Sequence, residues 1–168
     1  KPGVPELKKV NHCSTGDAAG GAVKDLKRAL SQMFGDGEGN YPEGSYVNMV
    51  LTHNLNFVEE VDVMYRGLET PLNKDENFGV LVTLRDFRDG TNHTGLNPKN
   101  EKLIKHIGLS AHINSPTMMD MIRRDKYDIL DAILVAINAN NKSYLNNQQK
   151  VIPVAHTKNM GIIAMKVF

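Results

Sequence analysis

The sequence contains little that would connect it to a membrane, to nucleic acid or to an oxidising compartment. Its single cysteine, Cys13, has no disulfide partner within the chain, which is typical of a reducing compartment. Its formal net charge of +1 gives no electrostatic reason to bind phosphate backbones or anionic lipids. Its most apolar stretch, ILDAILVAINA, carries Asp131 and is shorter than the ~20 residues that span a bilayer. We therefore expect a cytoplasmic protein without nucleic-acid or membrane partners.

Several motifs that carry enzyme chemistry are also missing. No Gly-rich loop of the GxGxxG or GxxxxGK type is present, which disfavours a dinucleotide-binding Rossmann domain and a phosphorylated substrate. Neither HExxH nor CxxC occurs, and His106 and His112 are separated by the length of a whole strand. We therefore expect no protein-bound metal.

Helical and strand periodicities alternate along the chain. Ser115 and Pro116 have the residue types of a helix N-cap and a first helical position, with Met118, Met119 and Ile122 as a buried stripe behind them. Predicted helices cover residues 17–34, 57–68, 76–90 and 143–159, predicted strands cover 45–53, 103–110, 129–138 and 160–168, and 88–100 reads as a loop. The strand–helix–strand order predicts right-handed βαβ units in a parallel sheet, either doubly wound or closed as a barrel.

Polar side chains follow the predicted strands where each strand ends. The first ends in Thr52-His53, the second in Ser110-Ala111-His112 and the third in Asn138. Because parallel strands present their carboxyl ends at one edge of a sheet, we expect His53, Ser110 and Asn138 to lie along the same edge. By strand alternation each also shares a face with apolar or small residues of its own strand. Each could instead be a structural residue that only satisfies nearby backbone.

Four segments, LTHNLN, IKHIGLSAH, ILVAINA and VIPVAHTKNMGIIAMKVF, together resemble the aldo/keto reductase family, in particular its bacterial oxidoreductase-type branch. That resemblance implies an α/β fold whose parallel (β/α) units form part of a TIM-type (β/α)8 barrel, a fold of about 250 residues. The 168-residue chain would match about the third to the seventh unit, truncated at both ends, with LKKVNHCSTG as the third strand. It would form a single partial domain, 1–168, with a long loop and helical excursion at about 54–103.

The resemblance also implies a function, which is the reduction of small carbonyl substrates with NADP(H) or NAD(H). In the family, hydride passes to the carbonyl carbon while a tyrosine protonates the oxygen, because charge develops on that oxygen as hydride arrives. His53 matches the catalytic histidine that orients the substrate oxygen. Ser110, Asn138 and Met165 match positions that contact the nicotinamide cofactor, with Met165 where many members place a stacking aromatic.

The chain departs from the family pattern at several positions. The catalytic tyrosine and aspartate belong to strands that this segment would not include, and no lysine stands between Ser14 and Thr15 where the family has one. Ala111 replaces a common asparagine, and Leu134 a common glutamine. We therefore expect the segment alone to be inactive. The alternative is a non-catalytic half-barrel that binds a partner or self-associates through open sheet edges.

Overall fold

Helices and strands alternate along the chain in a computed structural model that describes residues 18–53, 57–72, 79–112, 114–139 and 146–167. The elements are, in chain order, α1 (Ala18–Phe34), β1 (Val47–His53), α2 (Val58–Tyr65), α3 (Val80–Asp89), β2 (Ile104–Ala111), α4 (Ser115–Arg124), β3 (Ala132–Ala136), α5 (Asn147–Thr157) and β4 (Gly161–Met165). Each falls within or beside a segment of matching predicted type. The strand expected at residues 7–16, and Cys13 with it, lies outside the described residues.

The described strands form one four-stranded, all-parallel sheet in the order β1-β2-β3-β4. The α/β class and the parallel βα units are thereby confirmed. Gly108 is level with Ala132, and Ala132 is level with Gly161, so a row of small residues crosses β2, β3 and β4. Beyond Gly108, Ser110 is level with Leu134. Beyond Leu134, Ala136 is level with Met165.

The chain divides into two compact units. The first contains residues 1–50 and 63–105, and the second contains residues 51–62 and 106–168. The prediction of a single domain with an excursion at about 54–103 stays a prediction. Among the described residues, no helix combines the length and the apolar character needed to cross a membrane.

The second unit packs α4 against α5, and α5 also packs against β3 and β4. One face of β2 and β3 is fully covered, since the side chains of Ile107, Leu109, Ile133 and Val135 are buried. The continuous apolar run of β3 predicts cover on both faces, and on its other face Ala132 and Ala136 are buried while Leu134 is half-buried. The predicted stripe on α4 is partly wrong: Met118 and Ile122 are buried, but Met119 is only half-buried and Met121 takes the third buried position.

The predicted N-cap of α4 is wrong by one residue. Asn114 is the cap, because its side chain accepts a hydrogen bond from the Thr117 backbone N–H. Ser115 is instead the first helical residue, and its hydroxyl donates to Oδ1 of Asn147 at 2.8 Å. The Asn147 amide then donates to the Ala136 carbonyl at 3.0 Å. One buried asparagine thereby joins the start of α4, the start of α5 and the end of β3.

The first unit packs α1 against α3. In α3 the helical spacing of apolar residues predicts a buried face, and this is confirmed because all four residues on it are buried: Val80, Leu81, Leu84 and Phe87. In α1 the helical spacing of apolar residues predicts Leu26, Leu30 and Met33 on one buried face. Leu26 and Leu30 are buried, but Met33 is 53% exposed. The apolar stripe of α1 therefore ends one turn earlier than the sequence pattern indicates.

The loop after α3 is organised around the carboxylate of Asp86, which is fully buried. One carboxylate oxygen accepts from the Thr91 hydroxyl at 2.6 Å and the His93 backbone N–H at 3.1 Å. The other accepts from the hydroxyl and the backbone N–H of Thr94, at 2.7 and 2.8 Å. Burial raises the pKa of Asp86, but these hydrogen bonds outweigh burial and hold the pKa below its usual value of 3.8. The loop predicted at residues 88–100 is therefore tightly bonded at its start to one buried carboxylate.

Candidate functional site

The carboxyl ends of the four strands carry the residues that the sequence singled out. His53 is the last residue of β1, Ser110 is the penultimate residue of β2, and Met165 is the last residue of β4. Asn138 follows β3 by two residues. Because the strands are parallel and adjacent in order, these four residues succeed one another along a single edge of the sheet, all within the second unit. We call this edge, with His112, the carboxyl rim.

The residues of the carboxyl rim also share a face of the sheet. A Cβ added to Gly108 would lie 2.7 Å from Cδ2 of Leu51, so the β2 face that contains Gly108 and Ser110 is the β1 face that contains Leu51 and His53. Residues that are level on neighbouring strands lie on the same face of the sheet. Ala132 is level with Gly108 and Gly161, and Ala136 is level with Met165, so the same face continues across β3 to β4. This is the face of small residues, opposite the covered face of Ile107 and Ile133.

The rim is a row rather than a tight cluster. Neighbouring strands are about 4.8 Å apart, so His53 and Met165, three strands away, are separated by roughly 14 Å across a flat sheet. Only residues on adjacent strands can therefore contact the same small group. A ligand that meets both ends of the row has to be elongated or has to lie across a curved sheet.

Ser110 takes part in a bond between β1 and β2. The Thr52 hydroxyl donates to the Gly108 carbonyl at 3.3 Å, and the Ser110 hydroxyl lies 3.5 Å from the Thr52 carbonyl. Both side chains are almost completely buried. Since 3.5 Å is long for an O–H···O bond, the Ser110 hydroxyl is only weakly held by the backbone.

His53 contacts a second histidine, His112, which the sequence placed at the end of β2 without giving it a role. Their Nε2 atoms are 3.2 Å apart, and the rings meet edge to face with centroids 5.3 Å apart. One nitrogen of such a pair donates its proton and the other accepts it. The signal for this pair was available: both histidines end strands that were expected to be parallel. It was missed because His112 was compared only with His106 on its own strand.

The environment of His112 disfavours its charged form. Burial, and then the positive charge of Lys166 just after β4, lower the pKa of His112 below its usual 6.5. Its Nδ1 atom is buried and has no hydrogen-bond partner among the residues that the structure describes. An imidazolium would place an N–H on that buried nitrogen, which adds to the cost of protonation. His112 is therefore neutral at neutral pH.

A cleft of about 580 Å³ lies elsewhere, in the first unit. Its walls come from residues 41–45 and 99–103, which directly precede β1 and β2 and so lie at the amino ends of those strands. Glu101 is held there by Lys27 at 3.0 Å and by the Tyr41 hydroxyl at 3.1 Å. Burial, followed by Glu101, raises the pKa of Tyr41 to about 12. These groups satisfy one another, so we assign no chemistry to the cleft.

Within the described ranges, no group of three or more histidine, cysteine, aspartate or glutamate side chains could hold a metal ion. Comparison with known proteins gives no further guidance, because no protein-family model, no curated protein and no solved structure matches the chain. The functional argument therefore depends on the geometry of the carboxyl rim.

Proposed function

We propose that this chain forms part of the site of an NAD(P)H-dependent carbonyl reductase of the aldo/keto reductase type. The observation that supports the proposal is the carboxyl rim itself. An imidazole, a hydroxyl, an amide and a thioether succeed one another at the ends of four adjacent parallel strands, as His53, Ser110, Asn138 and Met165. In barrels of parallel strands, catalytic residues come from the ends of several different strands.

The strand order supports a barrel rather than a doubly wound sheet. A doubly wound sheet reverses its order at a switch point, whereas the order here runs β1-β2-β3-β4 without reversal. Right-handed crossovers that all proceed in one direction place their helices on one face, as on the outside of a barrel. The row of Gly108, Ala132 and Gly161 suits the opposite face, since the interior of a barrel is filled by layers of side chains.

The residues of the rim have the chemistry that a nicotinamide requires. The carboxamide of such a cofactor needs hydrogen-bonding groups, which the Ser110 hydroxyl and the Asn138 amide supply from adjacent strands. The ring needs an apolar surface, which Met165 and the 43% exposed side chain of Ile163 offer on the same face. When bound, the reduced cofactor would supply the hydride. His53 would hold the substrate so that its carbonyl oxygen lies at the rim.

Neither the tyrosine that donates the proton in this family nor its lysine has a match in the chain. The residues present therefore bind and orient, and we expect no turnover when the 168-residue chain is mixed with NADPH and a panel of aldehydes. Measurable turnover would show that the proton donor lies within this chain and would contradict that assignment.

Cofactor binding is the direct test. We would label the methionine methyl groups with ¹³C, assign Met165 by a Met165→Leu variant, and titrate the chain with NADPH and with NADH. A ring stacked on the thioether should shift the Met165 methyl signal, while the methyl of Met33, 53% exposed in the first unit, should not move. A Met165 signal that stays fixed at saturating concentrations of both cofactors would refute the proposed site.

The Ser110→Ala variant tests whether the Ser110 hydroxyl contributes to cofactor affinity. Loss of one neutral hydrogen bond, about 0.5–1.5 kcal/mol, should weaken cofactor binding by roughly 2–10-fold. The control is Ser31→Ala, which removes another buried hydroxyl, one that donates to a backbone carbonyl at 3.0 Å in the first unit. Equal affinity of the wild type and both variants would remove Ser110 from the cofactor site.

A second candidate function is self-association through the edge of the sheet. Within the described sheet, β4 is a terminal strand, and its Ile162 and Ile163 are 40% and 43% exposed, with Val167 beyond them 55% exposed. Unpaired strand edges with apolar side chains favour pairing between chains. Light scattering over a range of concentrations tests this: Ile162→Lys should reduce any dimer, and a monomer at all concentrations would exclude it.

A further inference from the structure

The contact between His53 and His112 suggests a role for His112 in the proposed reaction. We propose that His112 is a catalytic residue that donates its Nε2–H to the carbonyl oxygen of the substrate. This inference rests on the proposed carbonyl reduction. In the family resemblance, His53 alone orients the substrate oxygen. The present proposal instead makes His112 the hydrogen-bond donor to that oxygen.

The first argument comes from the tautomer of His112. Within the described part of the chain its buried Nδ1 has no hydrogen-bond partner, and a buried N–H without a partner is rarer than a buried acceptor without one. The proton of the neutral ring therefore sits on Nε2. In the contact of 3.2 Å, His112 is then the donor and the Nε2 of His53 is the acceptor. The nitrogen that presents a proton at the rim belongs to His112.

The second argument comes from charge. Burial and the Lys166 ammonium both disfavour an imidazolium at His112, and the His53 imidazole that contacts it carries no negative charge. A neutral imidazole is a hydrogen-bond donor that does not lose its proton as charge develops on a substrate oxygen. His112 therefore stabilises the oxyanion while leaving protonation to another acid.

The reaction step balances in the following way. A bound reduced nicotinamide would supply the hydride for the new C–H bond at the carbonyl carbon, and the π electron pair of the C=O bond would move to the oxygen. The nicotinamide is oxidised and the carbonyl is reduced. The oxygen, holding the negative charge, accepts the hydrogen bond from His112, which has turned from the His53 nitrogen. A general acid then supplies the proton that completes the alcohol.

The tautomer can be measured on the full 168-residue chain without any cofactor. Long-range ¹H–¹⁵N NMR of the histidine side chains should show His112 as the Nε2–H tautomer, neutral at neutral pH. His106, on the same strand and more than half exposed, is the internal control. A proton on Nδ1, or a charged ring at neutral pH, would overturn the proposal.

Acetate serves as a stand-in for the oxyanion. Titration with acetate should shift the Nε2–H signal of His112, and His112→Phe, which keeps a ring but has no donor, should weaken acetate binding by about 10–100-fold. His106→Phe should bind acetate as the wild type does. If the wild type binds no acetate, or if His112→Phe binds it equally well, His112 does not hold the oxygen.

The two proposals fail in different ways. If the methyl signal of Met165 does not respond to NADPH or NADH, the reductase proposal fails whatever the tautomer of His112. If Met165 responds but His112 carries its proton on Nδ1, the reductase proposal stands and the role of His112 is refuted. The tautomer measurement uses the wild-type chain, so it holds even if His112→Phe does not fold.

Discussion

Replacement of Asp86 by asparagine is the sharpest test of the structure of the first unit. The carboxylate accepts four hydrogen bonds, two at each oxygen. In Asp86→Asn, the amide nitrogen would face the backbone N–H of either His93 or Thr94, so at least one bond becomes a contact between two donors. Hydrogen bonds to charged groups contribute about 1.5–3 kcal/mol each, and the remaining bonds weaken when the charge is removed. The neutral amide is cheaper to bury, which leaves a net loss of about 3 kcal/mol.

Urea denaturation followed by circular dichroism measures this loss. The matched control is Asp89→Asn, the same substitution one turn along α3, where the side chain is 40% exposed and bonded to its neighbour Arg88. That variant should lie within about 0.5 kcal/mol of the wild type. If Asp86→Asn also lies within that range, the four hydrogen bonds do not hold the loop, and the argument from buried charge is wrong.

The pH dependence of the same variant follows from the lowered pKa of Asp86. A carboxyl whose pKa is depressed on folding stabilises the folded state above its unfolded value, here about 3.8, and that stability is lost as the pH falls through the depressed value. The difference in unfolding free energy between the wild type and Asp86→Asn should therefore be constant near neutral pH and shrink below pH 3.8. A difference that grows as the pH falls would contradict the sign of the shift.

Three further predictions concern the second unit. Gly108→Ala should destabilise it by about 1–3 kcal/mol in thermal melts, because the new Cβ would lie 2.7 Å from a backbone carbonyl. In Gly161→Ala the nearest atom is 3.5 Å away, so stability should be nearly unchanged; equal effects would refute the packing argument. In urea denaturation, Asn147→Ala should lower the free energy of unfolding by about 1–3 kcal/mol, whereas the exposed control Gln148→Ala should leave it almost unchanged. Equal stabilities of the two variants would contradict a structural role for the buried amide. Because folding depresses the pKa of His112, the free energy of unfolding should fall as the pH drops below 6.5, where the unfolded chain binds a proton that the folded chain resists. A His112→Phe variant whose stability has the same pH profile as the wild type would exclude that linkage.

Much of the fold follows from local patterns in the sequence. The apolar spacing of α3 and the continuous apolar run of β3 reflect which faces are covered, and the structure covers those faces. Where the structure differs from the predicted pattern, the difference has a specific physical cause. Ser115 has the residue type of an N-cap, but its hydroxyl is taken by Asn147, more than 30 residues away, so Asn114 caps the helix instead. Helix capping depends here on a partner that no local window contains.

The candidate site was predictable in part. Strand alternation groups His53 with Leu51 and Ser110 with Gly108, and the close approach of Leu51 to Gly108 then brings the two groups to one face. The contact of His53 with His112 depends on how far β1 and β2 are offset along the sheet. That offset is set by packing between distant parts of the chain and not by any local pattern. The bonds around Asp86 were likewise hidden, because an aspartate among arginines on a helix suggests exposure to solvent.

The side chain of Asn147 has a consequence for the dynamics of the second unit. Because it bonds to Ser115 and to the Ala136 carbonyl, the first turns of α4 and α5 cannot open independently without breaking a buried bond. Local opening that exposes one helix start should therefore expose the other. In native-state hydrogen exchange, the first amides of both helices would then share one opening free energy, and the two helices would behave as a single cooperative element along this edge.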